Sequence, residues 1–200
     1  MENIEIVLME NNHIVALAST HAISLPEDLL PSFGKEFMAN VYYKSMLTCP
    51  YAKVFVALSN NSPVGFVTVS TCPEKLFFWL ARNQVSKLMF ACLKLLIKEP
   101  PRILELVKSL AASQSTHDNS GEIAFIAVDA NYRRLGIGSK LINYSNNYLA
   151  QNNLQYAFTK TLSSNAHIVG FYKRNWSADI IDRIKIGYKE YVIISWPLNS

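Results

Sequence analysis

The stretch from Glu122 to Ser139 constrains this chain more than any other. Glu122 to Asp129 is apolar and reads as a strand. It runs through Asn131-Tyr132 into Arg133-Arg134-Leu135-Gly136-Ile137-Gly138-Ser139. Beyond that turn, Ile137, Leu141, Tyr144 and Tyr148 recur as the stripe of an amphipathic helix. A strand that enters a helix through arginines and glycines makes an anion cradle. The first N–H groups of a helix lack internal partners, and the helix dipole is positive at that end. Gly136 and Gly138 remove the side chains that would hold a phosphate off the backbone, and Arg133 and Arg134 add charge-assisted hydrogen bonds. The GxxxxGK[ST] of a P-loop is absent, and so is the third glycine of a dinucleotide fingerprint.

The remaining pattern is that of a chain with a substantial core. Half of the 200 residues are hydrophobic and 17% are charged, which excludes a disordered or collagen-like protein. Cys49, Cys72 and Cys92 fit no ligand spacing, so neither a disulfide scaffold nor a structural zinc site is expected. Glu2, Glu5 and Glu10 replace the basic start of a signal peptide, and the apolar patch Leu88 to Ile97, broken by Lys94, is far short of a membrane span. The expectation is a single cytoplasmic domain over residues 1–200. The net charge of +4 resides between Glu74 and Lys108, where seven basic residues face three acidic ones. No dense basic stripe or nucleic-acid reading motif accompanies it.

Ile4 to Leu8 reads as a first strand, and Phe33, Phe37, Val41 and Tyr42 mark a helix within Asp28 to Leu47. Val54 to Leu58 and Val64 to Val69 form a hairpin, with Asn60-Asn61-Ser62-Pro63 as a loop longer than a two-residue turn. Glu74 to Ala112 reads as two helices meeting at Pro100-Pro101, followed by a polar loop from Ser113 to Gly121 that contains His117. Gln155 to Leu162 is a strand and Asn165 to Arg174 a short helix. Ile180 to Ile186 and Glu190 to Trp196 close the chain around Gly187.

The string Ile126 to Gly138 resembles the acyl-CoA-binding motif of the GNAT superfamily of N-acetyltransferases, Gln/Arg-x-x-Gly-x-Gly/Ala after a strand, with Arg133, Gly136 and Gly138 in the signature positions. About 27 residues further on, Asn165-Ala166-His167-Ile168-Val169-Gly170-Phe171-Tyr172-Lys173-Arg174-Asn175-Trp176 looks like that family's second element. Ala130 stands where many members have proline, and Asn175-Trp176 replaces the usual Gly-Phe; Asn175 would serve as a left-handed helix cap. The resemblance implies an α/β (α+β) fold: a mixed, mostly antiparallel central sheet of about seven strands flanked by helices, with a helical insert between strands 3 and 4 at about 74–112.

It also implies roles. The backbone of Ile126 and Val128 would pair with the pantetheine arm of acetyl-CoA, the cosubstrate. Arg133, Arg134, Leu135, Gly136, Ile137, Gly138 and Ser139 would hold its pyrophosphate, and Asn165 its amide or phosphate groups. Tyr172 would be the general acid that protonates the departing thiolate; the plainer role for such a residue is ring packing. Glu122 would be the base that deprotonates the amine, and strict alternation would set it on one face with Ala124, Ile126 and Val128. No metal is implied. His167 reads as structural, while His21 and Tyr42-Tyr43 lie near the acceptor side.

The acceptor is expected to be a small primary amine. Leu25-Pro26-Glu27-Asp28-Leu29-Leu30, with Phe33 to Phe37, Tyr42-Tyr43 and Val64-Gly65-Phe66-Val67, looks like a bacterial GNAT subgroup linked with surface-polysaccharide synthesis, which tilts the expectation towards an amino sugar. Two other readings stand beside it: a CoA-binding sensor without catalysis, and an acetyltransferase of protein lysines or N-termini. A homodimer is left open.

Overall fold

The computed structural model describes residues 3–103, 106, 119–186 and 188–198. Its seven strands are β1 (Ile4–Leu8), β2 (Ala52–Ser59), β3 (Ser62–Ser70), β4 (Ser120–Val128), β5 (Tyr156–Leu162), β6 (Asp179–Ile186) and β7 (Lys189–Pro197). They form one sheet in the order β1-β2-β3-β4-β5-β7-β6. Every neighbouring pair is antiparallel except β4 and β5, which are parallel. Parallel neighbours need a crossover, and α4 (Ile137–Gln151) supplies it. The mixed, mostly antiparallel sheet flanked by helices is the fold expected from the sequence.

Helices cover the sheet on both faces, which is why β2 and β3 are buried along nearly their whole length. On one face α1 (Ile14–Ser24) and the helical turns that follow it enclose Met38, Tyr43, Val54, Val56 and Phe66. On the other, α4 and α5 (Ala166–Trp176) pack on Val67, Val69, Ile123 and Trp196. Gly121 sets the spacing there. A Cβ at that position would stand 2.3 Å from a Leu149 methyl carbon, so only glycine lets α4 lie this close to β4.

Several local details depart from the sequence reading. The β2–β3 connection is a two-residue turn after all: Ser59 pairs with Ser62, and Asn60 and Asn61 are both left-handed. Asparagine tolerates that conformation, and the twist of such a turn matches the strands. Pro63 is therefore strand, next to a bulge. The helix expected over Asp28 to Leu47 is divided by Gly34, at φ +92°, into Leu29–Ser32 and a later stretch that contains a π-helical segment, Met38–Tyr43.

In the insert the expected break at Pro100-Pro101 is present, since α3 (Val85–Lys98) ends before Glu99 and helix resumes at Pro100. The stretch before it is also divided: α2 (Pro73–Asn83) and α3 meet at Gln84. Gln84 leaves helical geometry, and its carbonyl accepts the Leu88 N–H that restarts the helix. The prolines follow the end of α3. Along α3, Met89, Phe90, Leu93, Leu96 and Ile97 are exposed together with the lysines. Strand β4 starts at Ser120, inside the expected loop; His117 and the rest of that loop up to residue 118 lie outside the described residues, as does Gly187. Helix α5 runs on to Trp176, so the left-handed cap is Ser177 and not Asn175, whose amide instead donates to the Phe171 carbonyl at 2.7 Å.

Candidate active site

Parallel pairing between β4 and β5 involves only Ser120 with Tyr156, Gly121 with Ala157 and Glu122 with Phe158. Past that point β4 continues to Val128 and β5 to Leu162 without pairing, and the sheet opens as a wedge. At its apex the Thr159 hydroxyl donates to the Ile123 carbonyl at 2.8 Å, closing the wedge where the backbone ladder stops.

The phase of the β3–β4 ladder decides which backbone groups face that opening. Asp129 N–H donates to the Val64 carbonyl at 2.8 Å, so Asp129, Ala127 and Phe125 direct their backbone groups to β3. Ile126 and Val128, the alternating positions, direct theirs into the wedge. The Val128 carbonyl accepts from Arg133 Nε at 3.1 Å, which draws that arginine to the mouth of the wedge.

The turn beyond β4 is shaped as a cradle. The Asp129 side chain accepts from Asn131 N–H at 2.9 Å, and Arg134 (φ +64°) and Gly136 (φ +77°) are left-handed. Helix α4 then starts with no side-chain cap; its first backbone bond runs from Lys140 N–H to the Gly136 carbonyl. The N–H groups of Ile137, Gly138 and Ser139 consequently have no carbonyl within the helix to bond. A Cβ on Gly136 would meet nothing within 4 Å, so the space above the turn is open. The Ile137 side chain is core, Leu135 and both arginines are exposed, and Ser139 is half-buried. Asn165 stands at the start of α5 with its side chain uncommitted to a cap.

Tyr172 and Glu122 flank the apex from opposite faces of the sheet. On the α4–α5 face Tyr172 is 2% exposed, its ring stacked on Trp196 at 5.0 Å. Burial pushes its phenol pKa up, and the neighbouring Thr159 hydroxyl offsets part of that. Its ring is thus a core residue whatever its hydroxyl does. On the other face the Glu122 carboxylate meets Lys160 Nζ at 3.0 Å. Glu122 does not share a face with Ile126 and Val128, as alternation suggested. The register slips so that Ala124 is an extra residue in β4, and this bulge rotates the strand. Ile126 and Val128 pack towards α4, whereas Phe125 and Ala127 pack towards α1.

Glu122 and Lys160 open onto a cavity of about 810 Å³ between the sheet, the Leu29–Phe37 segment, α2 and α3. Tyr42 lines it, 5% exposed, with the buried Thr68 hydroxyl as its polar neighbour; among the described residues neither hydroxyl meets full hydrogen-bond geometry. Behind this wall the fully buried His21 shares a 2.7 Å hydrogen bond between Nδ1 and the Tyr43 hydroxyl, while its Nε2 is unpartnered. Burial pushes the His21 pKa down to about 4, so the ring is neutral. His167 is exposed on α5. Lys160 escaped the sequence reading because it stands 38 positions from Glu122 with no motif to mark it. Among the described residues, no group of three or more His, Cys, Asp or Glu side chains is placed to hold a metal, and no helix is long and apolar enough to cross a membrane.

Comparison with known proteins gives this geometry a context. The family model described as "Acetyltransferase (GNAT) family" matches residues 22–176. No curated protein matches the chain by sequence. Among solved structures, Ard1 from Thermoplasma volcanium is 14% identical with a TM-score of 0.62, over 98% of this chain and 99% of that one. The ribosomal-protein-S18-alanine N-acetyltransferase from Escherichia coli is 12% identical with a TM-score of 0.57, over 99% and 96%. A candidate streptothricin acetyltransferase from Bacillus anthracis, solved with acetyl coenzyme A, is 16% identical with a TM-score of 0.52, over 78% and 68%. At these identities the likeness is one of fold.

Proposed function

The chain belongs to the GNAT family of acetyltransferases, and on that premise we propose that it moves an acetyl group from acetyl-CoA to the primary amine of a small molecule by direct attack. The observation that carries this reading is the wedge between β4 and β5, whose open backbone edge leads into the uncapped start of α4. An extended arm with amides can complete that edge as a strand would. A pyrophosphate suits the free N–H groups of Ile137, Gly138 and Ser139, with Arg133, Arg134 and the turn backbone of Leu135 and Gly136 around it and Asn165 on the facing helix.

The thioester would then reach the apex, between Tyr172 on one face and Glu122 on the other. The amine enters from the cavity side as an ammonium and must shed a proton before its lone pair can attack. Glu122 takes that proton. Lys160 assists, since a second cation beside it is disfavoured and the ammonium is made more acidic. The C–N bond forms, the C–S bond breaks, and Tyr172 gives its proton to the leaving sulfur. The second proton that the nitrogen sheds on becoming an amide makes good the one Tyr172 has lost, and Glu122 releases its own to solvent. A small-molecule acceptor, rather than a protein tail, is supported by a cavity that helices α2 and α3 wall in.

The test is a thermal-shift titration with acetyl-CoA, using free adenosine phosphates as a control, followed by CoA release with an amine panel. Ligand at about 100 times its dissociation constant should add roughly 2.7 kcal/mol, a rise of roughly 5–10 °C. No shift would remove the cofactor assignment. A shift with no CoA release from any amine would favour a binding module, and acetylated protein among the products would favour a protein acceptor.

A further inference from the structure

We propose that the acceptor is an amine carrying a large apolar body, an alkyl or aryl group, and not an amino sugar. This rests on the acetyltransferase reading above and names the substrate class of the same site. The cavity beside the apex is walled by leucine, phenylalanine and methionine from three directions: Leu30 and Phe33 from the segment after α1, Leu76 and Leu80 from α2, Leu88 and Met89 from α3. Its volume of about 810 Å³ holds far more than an ethyl-sized amine.

The polar groups are sparse and unevenly placed. Glu122, Lys160, the Tyr42 hydroxyl and Tyr191 of β7 stand by the strand wall, with Asp28 and Arg82 elsewhere on the lining. A molecule that fits such a lining is polar at one end. Its nitrogen belongs with Glu122, in the cavity that the Tyr42 hydroxyl also lines, and its carbon body fills the space between the helices. A sugar ring would bring several hydroxyls against leucine and phenylalanine side chains that cannot bond them, losing their hydration without return. The tilt towards amino sugars, drawn from a sequence likeness in the first helical segment, has no support in the groups that line this cavity.

The same apolar volume would also suit the chain of a long acyl donor, so the experiment has two arms. In the first, CoA release is measured with acetyl-CoA and n-alkylamines from ethylamine to octylamine, with phenethylamine and glucosamine alongside. Burial of each methylene should raise kcat/KM about fourfold until the cavity is filled, with glucosamine no better than ethylamine. In the second arm, ethylamine is held constant while the donor changes from acetyl-CoA to octanoyl-CoA.

A rising alkylamine series with no gain from octanoyl-CoA supports the proposal. A flat series, preference for glucosamine, or a gain only with the longer donor overturns it while leaving acyl transfer in place. No CoA release in either arm, from protein that acetyl-CoA stabilises against heat, overturns both this inference and the enzyme reading. Ala81→Phe, which fills the cavity from α2, should shift the preferred amine to a shorter chain, lowering kcat/KM for octylamine far more than for ethylamine; an unmoved optimum would also count against the proposal.

Discussion

Tyr172 is buried where a phenol stays protonated across the working pH range, because burial raises its pKa. Tyr172→Phe keeps the ring on Trp196 and removes only the hydroxyl. As the acid, it should lose about 100-fold in kcat, the low end for general acid catalysis because a thiolate leaves readily, with acetyl-CoA binding unchanged in a thermal-shift assay. Unchanged turnover would leave the residue as core packing. His21 bears on stability instead. Its folded pKa of about 4 lies below the ordinary 6.5, so the unfolded chain takes up a proton first as pH falls. The contribution of the neutral ring is complete above about pH 6.5 and disappears as pH drops towards 4. Relative to His21→Phe, which cannot titrate, the wild type should lose about 3 kcal/mol across that window, measured by urea unfolding at each pH. A constant difference between the two proteins would contradict the burial of the ring.

Helix α4 gives the most direct element-level test, because its first turn is held open by a left-handed glycine. Gly136→Asp introduces a residue that tolerates positive φ better than most and sets a negative charge into the space above the turn. Acetyl-CoA affinity should fall about 30-fold or more, roughly 2 kcal/mol of charge repulsion and lost access, while the melting temperature without ligand moves by only a few degrees. This element was legible beforehand because its signal is local: arginines and glycines between two periodic runs. The hairpin at Asn60-Asn61 was legible as a hairpin, but Ser62-Pro63 looked like loop, since proline in a strand goes unnoticed until a bulge accommodates it. The orientation of Glu122 was not legible at all. It turns on one extra residue, Ala124, set by pairing with Thr68 and Val69 of β3, far earlier in the chain. Lys160 and the Tyr42 hydroxyl were hidden for the same reason, since each gains meaning only from a partner or a cavity that tertiary structure creates.

At the scale of the whole molecule, the sheet has two sections. One is β1 to β4, the other β5 with β7 and β6, and each is held by long antiparallel ladders. Between them stand three paired positions of β4 and β5 and the bond from Thr159 to Ile123. The proposed active site lies on that seam, so Glu122, Tyr172 and the open edge come together only when the sections meet. This has a consequence for the order of events in folding. The β2–β3 and β6–β7 hairpins close short loops and form early, whereas the parallel seam must wait for its crossover helix. Thr159→Val should therefore cost about 1 kcal/mol, and nearly all of it should emerge as unfolding about fivefold faster, with the refolding rate untouched. A slowed refolding arm would mean that the seam forms with the nucleus. If it forms last, acetyl transfer reports the final moment of folding, and a newly made chain reaches its secondary structure well before it can turn over.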